Sequence, residues 1–248
     1  MTPPVFLVGP EDLDTDSVLV AGAEGRHAAT VRRITAGETV DLVDGVGTRA
    51  RCVVTAVGKD TVTCAVRERV REAEPVPRIT VVQALPKGDR GELAVEVMTE
   101  AGVDTVVPWQ AERCVTRWRG DRVARSLAKW RAAARAAAKQ ARRSRVPEIA
   151  EPVREAGVAE LLASASLGIV LHEEGAVRLS ALGLPEAVSA PGGHVVLVVG
   201  PEGGFTDAEL VAFEAAGAVR ALLGPTVLRT STAGVAALAV LQTRCGRW

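Results

Sequence analysis

Cysteine is scarce and scattered: Cys52, Cys64, Cys114 and Cys245, with no C-x-x-C pair. That pattern points to reduced thiols in a cytosolic protein and away from a zinc site. Histidine is scarcer. His27, His172 and His194 are the only three, and they offer no ligand set, so no metal is expected. No apolar run approaches the roughly 20 residues that span a bilayer. The first residues carry Glu11, Asp12, Asp14 and Asp16, where a signal peptide needs a basic start and an apolar core. The expectation is a soluble, cytoplasmic protein with no membrane partner. The chain lacks the Lys of a G-x-x-x-x-G-K-[ST] loop and has no G-x-G-x-x-G after a strand, which argues against nucleoside triphosphate or NAD binding. The net charge is zero, so bulk charge indicates no partner.

What is present is unevenly distributed. The 248 residues are 48% hydrophobic and 24% charged, enough for a substantial core in one or two domains. Residues 113–145 carry twelve Arg or Lys and one acid, Asp121, whereas residues 146–248 carry eleven acids and six bases. Such segregation suggests a polyanion meeting one surface.

Residues 1–70 read as mostly strand. Ser17–Ala21, Thr39–Val43, Arg49–Val57 and Thr61–Arg67 are β-branched runs separated by turn signals such as Asp44-Gly45. Glu24–Ile34 has helical spacing. Several short strands in this length suggest a small barrel or sandwich, and Arg67–Pro77 fits a linker. From Arg78 the texture alternates. Strands are expected at Ile79–Leu85, Thr105–Trp109, Leu167–Leu171, Val195–Val199 and Ala218–Leu222. Helices are expected at Arg90–Ala101, Asp121–Arg145, Val158–Ala163, Asp207–Ala216 and Ser231–Thr243. Alternation of this kind argues a largely parallel α/β sheet.

Two Gly-rich stretches carry the functional signal: Val199-Gly-Pro-Glu-Gly-Gly-Phe205 and Leu223-Gly-Pro-Thr-Val-Leu-Arg-Thr-Ser-Thr-Ala-Gly234. Each follows a strand-like run and leads into a helix, the place where an α/β protein binds a ligand. Thr206-Asp-Ala-Glu209 is a capping box that starts a helix just after the first loop. In the second loop, Thr230 or Ser231 is a candidate N-cap. On the helix Asp121–Arg145, Val123, Leu127, Trp130, Ala134, Ala137 and Ala141 should face the core. Arg131, Arg135, Lys139, Arg142 and Arg143 form a second stripe without offsetting acids in the helix. With Arg113, Arg117 and Arg119 just before it, the stripe is a candidate phosphate contact. Arg26, Arg32 and Arg33 form a second candidate RNA surface near His27, which is read as structural.

At these residues the chain resembles the RsmE family, which methylates N3 of a uridine in 16S ribosomal RNA and belongs to the SPOUT class of methyltransferases. The resemblance runs nearly end to end. It is carried by His27–Ile34 with Gly37-Glu38 and Asp44-Gly45, by Gln83-Ala-Leu-Pro-Lys-Gly-Asp89, by Thr99-Glu-Ala-Gly-Val103, by Ala138-Lys-Gln-Ala-Arg-Arg143 with Val146-Pro147, and most specifically by the two C-terminal loops. Two positions depart from the family pattern. Ser231 stands where many members have Glu, which puts a required carboxylate there in doubt. Val97 stands where many have Lys, which bears on one basic contact.

The resemblance implies an α/β protein with a small N-terminal PUA-like β-barrel at residues 1–72 and a SPOUT domain with a deep trefoil knot at 78–248. It implies a homodimer acting on 16S ribosomal RNA or the small ribosomal subunit. The cofactor implied is S-adenosyl-L-methionine. It would lie against Leu171, His172 and Glu173; against Val199, Gly200, Pro201, Gly203 and Gly204; and against Leu223, Gly224, Leu228, Thr232 and Ala233. RNA contacts would fall on Arg26, Arg32, Arg33, Arg135, Lys139, Arg142 and Arg143. Uridine N3 must lose its proton before it attacks a methyl group. Arg229 is the candidate for stabilising the uracil anion, with Thr230 orienting the base or cofactor, and Glu202 either a base or a cap on its loop. A ribose 2′-O-methyltransferase of the same class and a noncatalytic RNA-binding assembly factor are the alternatives.

Overall fold

The computed structural model describes residues 2–248, which divide into two compact units. One unit takes the chain up to Glu74 together with Ala138–Val146; the other comprises Pro75–Ala137 and Pro147–Trp248.

The first unit is one five-stranded sheet. Its strands are β1 (Val5–Leu7), β2 (Ser17–Val20), β3 (Thr39–Val43), β4 (Thr48–Val57) and β5 (Val62–Arg71), in the order β1-β3-β4-β5-β2. All pairs are antiparallel except β1–β3. Register breaks between Arg51 and Cys52 and between Val54 and Ala56 bend β4. The alternate residues Val18, Val20, Val40, Leu42, Cys52, Val54, Val62 and Cys64 meet Phe6, Ala28 and Ile34 in one core. β5 runs to Arg71, so the expected linker begins as strand and only its last residues are connector. The short strand β1, just three residues long, is Val-Phe-Leu, a run too brief to show a period.

The expected helix at Glu24–Ile34 is two pieces. Helix α1 (Gly22–Arg26) runs into a wider turn over His27–Val31, closed by Arg32 N donating to His27 O at 2.9 Å. It stops at Arg33, which takes φ 51°.

The second unit is built on seven strands: β6 (Arg78–Ala84), β7 (Thr105–Trp109), β8 (Glu148–Ile149), β9 (Leu167–Leu171), β10 (Val177–Arg178), β11 (His194–Val199) and β12 (Val219–Leu222). Every pair is parallel, in the order β10-β12-β9-β11-β6-β7-β8. Strands buried on both faces need continuous apolar runs. Val195–Val199 and Thr105–Trp109 are such runs, buried throughout. Helices α2 (Arg90–Glu100), α3 (Asp121–Gln140), α4 (Glu155–Ala163), α5 (Glu186–Ser189), α6 (Asp207–Ala215) and α7 (Thr230–Arg244) connect and cover them. Gly102, just past α2, takes φ 90°, as a glycine closing a helix does.

Helix α3 ends five residues earlier than its periodicity suggests. Arg142 takes φ 56°, and Arg143 N donates to Ala138 O at 2.8 Å. This is a Schellman closure with Arg in the position usually held by Gly, and the sequence carries no glycine to announce it. Val146 N then bonds Gly45 O at 2.9 Å within the first unit. Leu127, Trp130, Ala134 and Ala137 are buried as expected, but Ala141 lies beyond the helix and is exposed.

Candidate functional site

Three loops at the carboxyl ends of β9, β11 and β12 enclose a cavity of about 700 Å³. Its walls are Leu171–Glu173, Val199–Phe205 and Ala221–Thr230, completed by Arg113 and Ala233. The chain order reverses here: β6 leads outward to β7 and β8, and β9 returns on the far side of β11. A crevice at such a reversal is the ligand site of open α/β sheets.

The first loop is held from several sides. Gly204 N donates to Pro201 O at 2.9 Å and Gly204 takes φ 70°, a conformation open to glycine. Phe205 is buried and stacks on Trp109 at 5.6 Å, with Phe213 edge-on to both rings. The His172 ring is tilted against Phe205, with centroids 6.0 Å apart. Thr206 and Glu209 form the expected capping box: Glu209 N donates to Thr206 Oγ1 at 3.2 Å and Thr206 N to Glu209 Oε2 at 2.8 Å. The buried Glu209 carboxylate also accepts Glu112 N at 2.8 Å. Next to Glu112, Arg113 Nη1 donates to Phe205 O at 2.9 Å and to Gly203 O at 3.4 Å. Lys87 N donates to Glu202 Oε1 at 3.2 Å, so Glu202 helps hold its own loop while remaining exposed.

The second loop leads into α7. Its N-cap is Arg229, at φ −66° and ψ 149°, and not Thr230 or Ser231. Thr232 Oγ1 turns back to Arg229 O at 3.1 Å, and Thr232 is the one expected cofactor contact outside the cavity lining. Thr230 and Ser231 are buried in the first turn, and the buried Gln83 amide donates to Thr230 O at 3.3 Å. The Arg229 side chain is exposed, lines the cavity and has no hydrogen-bond or ion-pair partner among the described residues. On the third wall, Glu174 N donates to His172 Nδ1 at 3.1 Å. That leaves any ring hydrogen of a neutral His172 on Nε2.

The cavity thus gathers Arg229, Thr230 and Glu202 with Leu171, His172, Glu173, Val199, Gly200, Pro201, Gly203, Gly204, Leu223, Gly224, Leu228 and Ala233. A Cβ added at Gly204 or Gly224 would meet no protein atom within 4 Å, so the backbone there fronts open space that a ligand can use. Apolar walls, bare backbone and charged groups of both signs, Glu173 and Glu202 with Arg113 and Arg229, suit a molecule with a flat ring and polar, charged ends. Arg113 and Phe205 escaped the sequence reading of the cavity. Arg113 meets its partner 92 positions away, and no local pattern records that.

The basic residues divide between the units. Arg26, Arg32 and Arg33 are exposed in the first. Lys139 is half-buried there and paired to Glu24 at 2.7 Å. Arg131, in the second unit, pairs with Glu151 at 2.9 Å. The stripe on α3 therefore lacks offsetting acids only within the helix itself. Arg135 and Arg142 are exposed, and Arg143 is half-buried. No cluster of potential metal ligands and no helix long and apolar enough to cross a membrane occurs among the described residues.

The comparisons agree with this geometry. An RNA methyltransferase domain family matches residues 72–242, and an RNA methyltransferase PUA domain family matches residues 20–67. The ribosomal RNA small subunit methyltransferase E of Mycobacterium tuberculosis is 47% identical over 240 residues, covering 95% of this chain and 90% of that one. Its Bacillus subtilis counterpart is 29% identical over 226 residues, 90% of this chain and 88% of that one. Among solved structures, the Neisseria gonorrhoeae enzyme of the same name, bound to S-adenosyl methionine, superposes with a TM-score of 0.82 at 28% identity and 98% coverage of both chains. A Legionella pneumophila putative methyltransferase in complex with the same cofactor gives 0.84 at 27% identity, again with 98% of each chain covered. With a PUA-type unit, a parallel α/β unit and a cavity at its strand-end loops, this chain belongs to the ribosomal RNA small subunit methyltransferase E family of RNA methyltransferases.

Proposed function

We propose that the protein transfers a methyl group from S-adenosyl-L-methionine to N3 of a uridine in the 16S ribosomal RNA of the small subunit. The observation that carries this reading is the unpaired Arg229 on the wall of a glycine-lined cavity. When bound, the cofactor supplies an electrophilic methyl group. Leu171–Glu173, Val199–Gly204 and Leu223–Leu228 would hold it, with backbone groups reading its polar ends. Arg229, on the cavity wall, would stabilise the anion that forms on the uracil ring, an electrostatic contribution that is largest in the transition state. Thr230, whose backbone carbonyl accepts from the buried Gln83 amide, would orient the base or the cofactor. Glu202, with Oε1 on the Lys87 amide, would either take the N3 proton or serve only as a cap on its loop. Alignment of the two reactants supplies much of the remaining acceleration, and the base must be unpaired or flipped out of its stack to enter.

The same reading includes a PUA-like domain over residues 1–72 and a SPOUT domain over 78–248 whose chain forms a deep trefoil knot. It includes a homodimer working in the cytoplasm. Arg26, Arg32, Arg33, Arg135, Lys139, Arg142 and Arg143 would contact RNA phosphates. Lys139 would do so with its charge already shared with Glu24. Calorimetric titration with S-adenosyl-L-methionine tests the reading. Saturable heat supports it, and no heat from folded protein would leave a noncatalytic RNA-binding factor.

A further inference from the structure

We infer that Trp118, between Arg117 and Arg119, is a base-stacking platform for single-stranded RNA beside the cofactor cavity. The inference rests on the RNA methyltransferase reading above. The chain has three Phe, four Trp and no Tyr, so each ring's placement is informative. Trp109 and Trp130 are buried. Trp118 is only partly so, although it sits in a loop. Its ring meets Trp130 edge-to-face at 5.1 Å. One side of the indole is therefore braced by a buried ring, while part of its surface stays open.

The loop is held in place before any ligand arrives. Arg113 Nη1 bonds Phe205 O at 2.9 Å, Thr116 Oγ1 bonds Pro86 O at 2.8 Å, Arg117 Nη2 bonds Glu112 O at 3.0 Å, and Trp118 N bonds Gln110 Oε1 at 3.1 Å. A surface ordered in advance loses little entropy on binding. The charge along this segment is mostly positive. From Arg113 to Lys129 there are six basic residues and one acid, Asp121, and Arg117, Arg119, Arg122, Arg125 and Lys129 are all exposed. Stacking on an aromatic face with guanidinium groups alongside is how single strands are held without reading their sequence. The loop also starts at the cavity, since Arg113 lines it. Trp118 lies five residues along the chain from that cavity residue, so one RNA strand could reach both.

The test is affinity for a single-stranded oligouridylate at several salt concentrations, with cofactor affinity and sedimentation measured alongside. Trp118→Ala should weaken RNA binding about tenfold, the loss expected of one stacked base, with an unchanged salt slope because every phosphate keeps its cation. Trp118→Phe should stay within about threefold of wild type, since a ring remains. Arg117→Ala with Arg119→Ala should instead flatten the slope by about 0.7 for each phosphate left without a basic partner. Cofactor affinity should be the same in all of them. Wild-type RNA affinity in Trp118→Ala overturns the platform, as does a Phe variant as weak as the Ala variant. A change of oligomeric state would show that the indole covers a second copy, and a loss of cofactor binding would show that it props the core. If the wild-type protein itself binds no RNA, the RNA reading as a whole falls.

Discussion

Arg113 and Phe205 are joined by a 2.9 Å hydrogen bond, the guanidinium Nη1 donating to the backbone carbonyl across 92 positions of sequence. The same nitrogen reaches Gly203 O, and the next residue back, Glu112, is held by Glu209. The β7–α3 connection therefore sets the conformation of the Gly-rich loop. Arg113→Met keeps length and apolar stem but removes the donors. It should weaken S-adenosyl-L-methionine binding about tenfold, the scale of a charge-assisted hydrogen bond, while leaving the far-ultraviolet circular dichroism spectrum unchanged. Titration calorimetry reads the first effect, and wild-type affinity would show that the loop holds itself.

Gly203 and Gly224 make a matched pair. A Cβ at Gly203 would sit 3.0 Å from Arg113 Cβ and 3.1 Å from Arg113 O, whereas one at Gly224 would meet nothing within 4 Å. The need for glycine at 203 thus arises from crowding behind the loop and not from a left-handed backbone, which belongs to Gly204. Gly203→Val should push the loop off Arg113, abolish measurable cofactor binding and cost about 1–3 kcal/mol of stability. Gly224→Ala should leave the thermal midpoint within error. Equal midpoints for the two variants would refute the distinction.

Glu202→Gln separates two roles. Glutamine retains a carbonyl oxygen for the Lys87 amide, so the brace survives, but it takes up no proton near neutral pH. A fall in kcat of about a hundredfold with little change in cofactor affinity identifies a base, in the range typical of general base catalysis. Unchanged kcat assigns Glu202 to holding the loop alone.

His194 gives the second unit an acid-sensitive point. Burial, and after it the charge of Arg78, holds the imidazole below its ordinary value of 6.5, against a smaller opposing effect of Asp104. A lowered folded value means that the unfolded chain takes up the proton more readily. The stabilising contribution is therefore complete above pH 6.5 and is lost as pH falls through that value toward the folded one. Urea midpoints should decline from pH 7 to pH 5, and His194→Gln should decline less over that interval. Parallel declines would remove His194 as a cause.

The parallel sheet was legible because strands buried on both faces are continuous apolar runs, as at Val195–Val199. The Thr206–Glu209 cap was legible because both partners lie three residues apart. The cavity followed from where the glycines fall relative to strand ends. What escaped the sequence depends on distant partners or on weak local signals. The two-residue strands β8 and β10 are too short to show a period. The end of α3 is marked by an Arg in a conformation usually left to glycine. Arg113 and Lys139 find their partners 92 and 115 positions away. The capping hydroxyls expected of Thr230 and Ser231 are instead buried in the helix, and Ser231 brings no carboxylate to the site.

The nucleoside that the protein makes decides whether Arg229 serves an attack by uridine N3. Small-subunit ribosomal RNA lacking the modification is incubated with S-adenosyl-L-methionine and either wild type or Arg229→Ala, digested to nucleosides and analysed by mass spectrometry. The wild type should yield N3-methyluridine. Arg229→Ala should be slower by at least about a hundredfold, as for loss of one group stabilising a developing anion, with cofactor affinity unchanged. A 2′-O-methyl nucleoside, or wild-type turnover by Arg229→Ala, would refute the proposed chemistry.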